Sequence, residues 1–152
     1  MNVRTRQGGV ALIEVMIAVV ILAIGVLGAV GLQAKSLAAL SDAGARVDAA
    51  LAAEKVIGLM ATDQANLASY IWDSHGGGGA PAVLAPWWLE LAGDATLTPP
   101  VVGLLPTATA VIAKAQVAGS TATQVTVVIT WQRRSGDPVN THTIVATVAP
   151  TL

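Results

Sequence analysis

From Val10 to Leu32 the chain reads VALIEVMIAVVILAIGVLGAVGL, 23 positions of which 19 are Ala, Val, Ile, Leu or Met, three are Gly and one is Glu14. No Lys or Arg interrupts the run. A helix of this length spans about 35 Å against a hydrocarbon layer of about 30 Å, so the run predicts a membrane-crossing helix. The preceding MNVRTRQGG carries Arg4 and Arg6 and no acid. Under the positive-inside rule this predicts a cytoplasmic N-terminus and a C-terminal portion outside, a single pass through a membrane. A secretory signal peptide also has a basic start, but its apolar core is about 7 to 15 residues long and ends at a small-x-small cleavage site.

Glu14 fits neither a plain anchor nor a signal peptide. An isolated acid in hydrocarbon costs roughly 2.5 to 3.5 kcal/mol on insertion scales, so this carboxylate requires a cation. Proteolysis can create one. A cut after Gly9 would put a new ammonium on Val10, about one helical turn from Glu14, in the same or a neighbouring subunit. Gly8-Gly9 offers a segment without side chains for extended binding in a protease cleft.

The stretch GGVALIEVMIAVVILAIG resembles the leader and helix start of type IV pilins and pseudopilins. Their short basic leader ends in Gly, an apolar residue follows, and Glu stands at the fifth mature position. Gly9, Val10 and Glu14 take these places, with Leu12-Ile13-Glu14-Val15 in the usual core. Val10 and Ala11 depart from the family's more common Phe and Thr. The resemblance implies a pilin-like α+β fold, a long N-terminal helix packed against a small antiparallel sheet. It implies cleavage after Gly9 by a prepilin peptidase and methylation of Val10, so that this chain is a substrate of that enzyme and not itself an enzyme. It also implies that Glu14 pairs with the mature N-terminus during assembly. Partners would be major and minor pilins through their N-terminal helices, the inner-membrane assembly platform, and membrane lipid before assembly. Leu22-Ala23-Ile24-Gly25, Gly28 and Gly31-Leu32-Gln33 are most similar to minor pilins, with a minor pseudopilin of type II secretion as the alternative. Gly25, Gly28 and Gly31 leave a side-chain-poor strip suited to close helix packing.

Five segments are expected: a removed leader (1–9), a transmembrane and filament-core helix (10–33), its amphipathic continuation (34–69), an irregular Gly/Pro/Trp connection (70–106), and a sheet of about three strands (107–152). The continuation contains 12 alanines and reaches about Ala68, with Leu37, Leu40, Val47 and Leu51 as a helical stripe. Lys35, Asp42, Arg46, Asp48, Glu54 and Lys55 mark its wetter faces, and Asp42 is placed to pair with Arg46 at i, i+4. In the connection, Trp72, Trp87 and Trp88 are expected to pack against the helix. Beyond it, alternation over Ala110–Val117, Thr123–Trp131 and Val139–Val148 predicts a meander, with turns at Gly119-Ser120 and at Arg133 to Pro138.

Composition narrows the chemistry. The 152 residues are 54% apolar and 11% charged, with 29 alanines and no cysteine, which excludes disulfides, thiolate catalysis and Cys-ligated metal centres. Eight basic against nine acidic side chains leave no nucleic-acid-binding block, and Arg133-Arg134 reads as a solvated turn. His75 followed by four glycines lacks the Lys-Ser/Thr of a phosphate loop, and Asp73 with His75 is too few ligands for a metal. Ser41, Asp42 and His142 are scattered fragments without a nucleophile elbow. No cofactor is expected.

Overall fold

The computed structural model describes residues 10–134 and 136–148. The chain divides into two compact units, Met1–Ser41 and Asp42–Leu152. Helix α1 (Val10–Thr62) supplies the described part of the first unit and opens the second.

The second unit is a helix on a sheet. Strands β1 (Trp72–Asp73), β4 (Thr109–Gln116), β5 (Thr123–Trp131) and β6 (Asn140–Val148) form one antiparallel sheet in the order β1-β4-β5-β6. The central strand β5 alternates as the sequence predicts: Val125, Val127, Ile129 and Trp131 are buried while the residues between them are half-buried or exposed. Register places Ile129 between Ala110 and His142, and Val125 between Lys114 and Ala146. The β4–β5 turn closes with Ser120 N–H donating to the Val117 carbonyl (3.1 Å) and Val117 N–H to that of Ala122 (3.0 Å).

The inward residues of the sheet meet Ala49, Ala52, Ala53, Val56 and Met60 of α1 in one core cluster. Their spacing of three, four and seven residues is that of one helix face. Three of the five are alanines, whose small side chains admit the sheet close to the helix axis. The Leu37, Leu40, Val47 and Leu51 stripe lies on other ground: Val47 and Leu51 remain 56% and 59% exposed, and Leu37 and Leu40 67% and 66%. Bulk alone therefore did not mark the packed face.

Two expected segments differ in the structure. The helix ends at Thr62, short of Ala68, where Asp63 leaves helical geometry (φ -122°, ψ 52°) and a kinked 3-10 segment follows over Gln64–Tyr70. The Asp63 carboxylate accepts from Asn66 Nδ2 (2.8 Å) and from the Tyr70 hydroxyl (3.1 Å), which holds Tyr70 5% exposed against the core. The supposedly irregular connection contains a further helix, α2 (Ala85–Ala92), and the two-stranded sheet of β2 (Gly93–Asp94) and β3 (Val101–Val102). The three strands expected over 107–152 are β4, β5 and β6, and among the described residues β1 adds a fourth from the connection, pairing with β4 through Trp72 opposite Ile112 and Asp73 opposite Val111.

Helix α2 brings the tryptophans together. Leu84, Trp87 and Leu91 are buried, and Trp87 Nε1–H donates to the Ala52 carbonyl at 2.9 Å. Trp88 meets Trp72 edge to face at a ring separation of 4.8 Å, so the expected aromatic packing is present. After α2 the backbone passes close to itself at Gly93 and Gly103. Gly93 sits at φ +76°, and a Cβ at Gly103 would lie 2.3 Å from backbone atoms of Ala92 and Gly93. Only glycine permits that approach, which lets Leu104 and Leu105 N–H donate to the Glu90 and Leu91 carbonyls at 3.0 and 2.7 Å.

Candidate functional site

The apolar start of α1 has no buried face. From Leu12 to Leu32 its large aliphatic side chains are between 54% and 71% exposed on every side of the helix. A helix that is apolar all round is stable only where lipid or other helices surround it. An 18-residue window of α1 reaches a mean hydropathy of 2.9, long and apolar enough to cross a membrane, a criterion that an N-terminal signal segment also meets.

Of the residues singled out for processing, assembly and helix packing, all those among the described residues fall on this helix. Gly9 lies outside the described residues. Val10 begins α1, and Glu14 follows four residues later, exposed between Leu12, Ile13, Val15 and Met16. Four residues are about one helical turn, which is the separation of Glu14 from Val10 along α1. Gly25, Gly28 and Gly31 lie within the helical span, and a Cβ added at any of them would meet nothing within 4 Å. Successive members of this trio are offset by about 60° around the axis, so they form a slanted strip.

Residues 4–30 match the prokaryotic N-terminal methylation motif. That span contains Gly9, Val10, Glu14, Gly25 and Gly28, and stops just before Gly31. The chain thus carries the prepilin and pseudopilin methylation motif, consistent with the type IV pilin-like superfamily, and its architecture is the pilin-like one of a long N-terminal apolar helix with a small antiparallel sheet. No curated protein and no solved structure matches the chain.

The remaining polar residues do local structural work. Asp73 accepts from the His75 backbone N–H (2.8 Å) and faces His75 Nδ1 (2.7 Å); those bonds, the backbone one foremost, lower the Asp73 pKa. Asp94 is lowered in the same way by the hydroxyl and backbone N–H of Thr96. Burial, then the bond to Asp63, raises the Tyr70 pKa. Among the described residues no group of three metal-ligating side chains occurs. Asp42 is engaged by Arg46 Nε at 3.0 Å, the predicted i, i+4 pair, and His142 lies opposite Ile129 in the sheet. The structure adds one juxtaposition that linear reading missed. Arg46 on α1 shares a cleft with Arg133 and Arg134 of the β5–β6 turn. The 86 residues between Arg46 and Arg133 hide it from any local pattern.

Proposed function

We propose that this chain is a minor pilin of the type IV pilus, a structural subunit that helps initiate or modify filament assembly in the manner of the type IV pilus modification protein. The observation that carries the reading is the match over residues 4–30, coincident with an all-round exposed apolar start of α1, Leu12 to Leu32, whose one acid stands at the fifth position after Gly9. In this reading a prepilin peptidase cleaves after Gly9 and Val10 becomes the methylated N-terminus. The helix crosses the inner membrane with its N-terminus cytoplasmic and holds the Asp42–Leu152 unit outside. Burying Glu14 beside the Val10 ammonium of the same or a neighbouring subunit offsets its desolvation and sets the axial register between helices. The glycine strip supports close approach of neighbouring pilin helices, and the assembly platform draws the subunit out of lipid into the filament.

Mass spectrometry of sheared filaments tests this directly. The expected chain starts at N-methylated Val10 and has lost residues 1–9. An intact leader in piliated cells refutes the assignment. Recovery only with a secretion complex, with genes for a secretion channel alongside, would instead make the chain a minor pseudopilin of type II secretion.

A further inference from the structure

Two sequence features that filament assembly leaves unused, the glycine run after His75 and the second of the paired tryptophans, meet at an open cleft of about 490 Å³. Three short stretches of the Asp42–Leu152 unit enclose it. Gly79 and Ala80 come from the end of the glycine run, Trp88 and Leu89 from α2, and Asp94 and Leu97 from β2 and the residues after it. Trp88 is half-buried and fixed by its neighbours, edge to face with Trp72 at 4.8 Å and tilted against Trp87 at 6.1 Å. An indole braced in this way has its position set before any ligand arrives.

Asp94 supplies the charge. Its Oδ1 accepts from the Thr96 hydroxyl (2.6 Å) and the Thr96 backbone N–H (2.8 Å), bonds that hold the carboxyl below its ordinary pKa and keep it ionised at neutral pH. Among the described residues Oδ2 takes no hydrogen bond. No Lys, Arg or His among the described residues lines the cleft, so it holds one negative charge beside an aromatic ring and aliphatic side chains.

We infer that this cleft binds a quaternary ammonium group, such as that of choline. The ionised carboxylate repels an anion, and both it and the indole attract a cation. A neutral sugar leaves the charge unmatched. The lining then selects among cations. A primary ammonium brings three N–H donors to one uncommitted carboxylate oxygen, whereas a trimethylated one has no donor to satisfy and sets its methyl groups against Ala80, Leu89 and Leu97. The site lies wholly within the Asp42–Leu152 unit, so it stands apart from how the chain is anchored or assembled.

The test titrates the full 15N-labelled chain in maltoside micelles with choline chloride, against sodium chloride at the same concentrations. The Trp88 indole N–H and the Gly79 and Asp94 amide resonances should shift saturably, with half-saturation at about 1 to 10 mM, while sodium chloride leaves them in place. D94N should weaken binding by about fivefold or more, because the amide keeps an acceptor oxygen for Thr96 and loses only the charge. An unmoved Trp87 indole resonance in the variant certifies its fold. Shifts that never saturate, or that sodium chloride reproduces, overturn the inference. So does undiminished choline binding by folded D94N, which removes the carboxylate from recognition. Tighter binding of N-acetyl-lysine amide than of choline would make the cleft a pocket for protein lysines, and a response to glucose but not to choline would make it a sugar site; either result overturns the inference as well.

Discussion

Replacing Gly103 by Ala should unfasten α2 from the loop that follows β3. A Cβ there would lie 2.3 Å from Ala92 C and Gly93 N and 2.5 Å from the Leu91 carbonyl oxygen. Non-bonded carbons rest at about 3.5 to 4.0 Å, so the two backbone segments must separate by about 1 Å or more. That movement breaks the 2.7 Å bond from Leu105 N–H to Leu91 and the 3.0 Å bond from Leu104 N–H to Glu90. At about 1 kcal/mol for each bond and about 1 to 3 kcal/mol for overpacking, the loss is about 3 to 5 kcal/mol. Gly58→Ala is the matched control with the opposite sign. Gly58 lies inside α1 with nothing within 4 Å of an added Cβ, so alanine there should stabilise by about 1 kcal/mol through helix propensity. Urea unfolding of the full chain in detergent micelles, followed by tryptophan fluorescence, reads both, since Trp87 and Trp88 sit on α2. A Gly103→Ala midpoint equivalent to less than about 1 kcal/mol of destabilisation would show that the close backbone approach does not hold α2 in place.

Trp87 and Trp131 are each 3% exposed, but the Trp87 indole N–H is bonded to the Ala52 carbonyl whereas that of Trp131 is buried without a partner. Trp87→Phe should therefore cost about 1 to 2 kcal/mol more than Trp131→Phe, and equal costs in the same unfolding assay would contradict the role given to that bond. The Asp73 carboxylate should titrate, by NMR, below the ordinary value of about 3.9. Because its folded pKa is depressed, the turn it forms with His75 contributes stability above the ordinary value and loses it as pH falls through the lower folded one; a midpoint at or above the ordinary value removes that contribution. Glu14→Ala should leave membrane insertion intact and reduce incorporation into sheared filaments, and unchanged incorporation would refute the register role.

The aliphatic run with its single acid and the basic residues before it declare themselves locally, since apolar length, charge asymmetry and the position of Glu14 are all properties of one continuous segment. Period-two alternation likewise reveals β4, β5 and β6, because a strand with one buried face writes that burial into every second residue. Helix α2 carried a readable signal too, Pro86 in its first turn and Gly93 just past its end, but the tryptophan pair and flanking prolines made the stretch look irregular.

Other features are decided only in three dimensions. Which side of α1 packs depended on small residues: the core takes Ala49, Ala52 and Ala53 and leaves Val47 and Leu51 outside, a choice set by how closely the sheet can approach. The end of α1 at Thr62 follows from Tyr70 turning back to Asp63, a contact no helix propensity encodes. The pairing of β1 with β4, the meeting of Gly93 with Gly103 and the gathering of Arg46 with Arg133 and Arg134 all join residues distant in the chain. The sequence alone determined the long apolar N-terminal helix and its methylation motif, because hydrophobicity and charge act residue by residue along it. Tertiary structure decided the packed face and the arginine cleft, because both depend on distances that only the folded backbone sets.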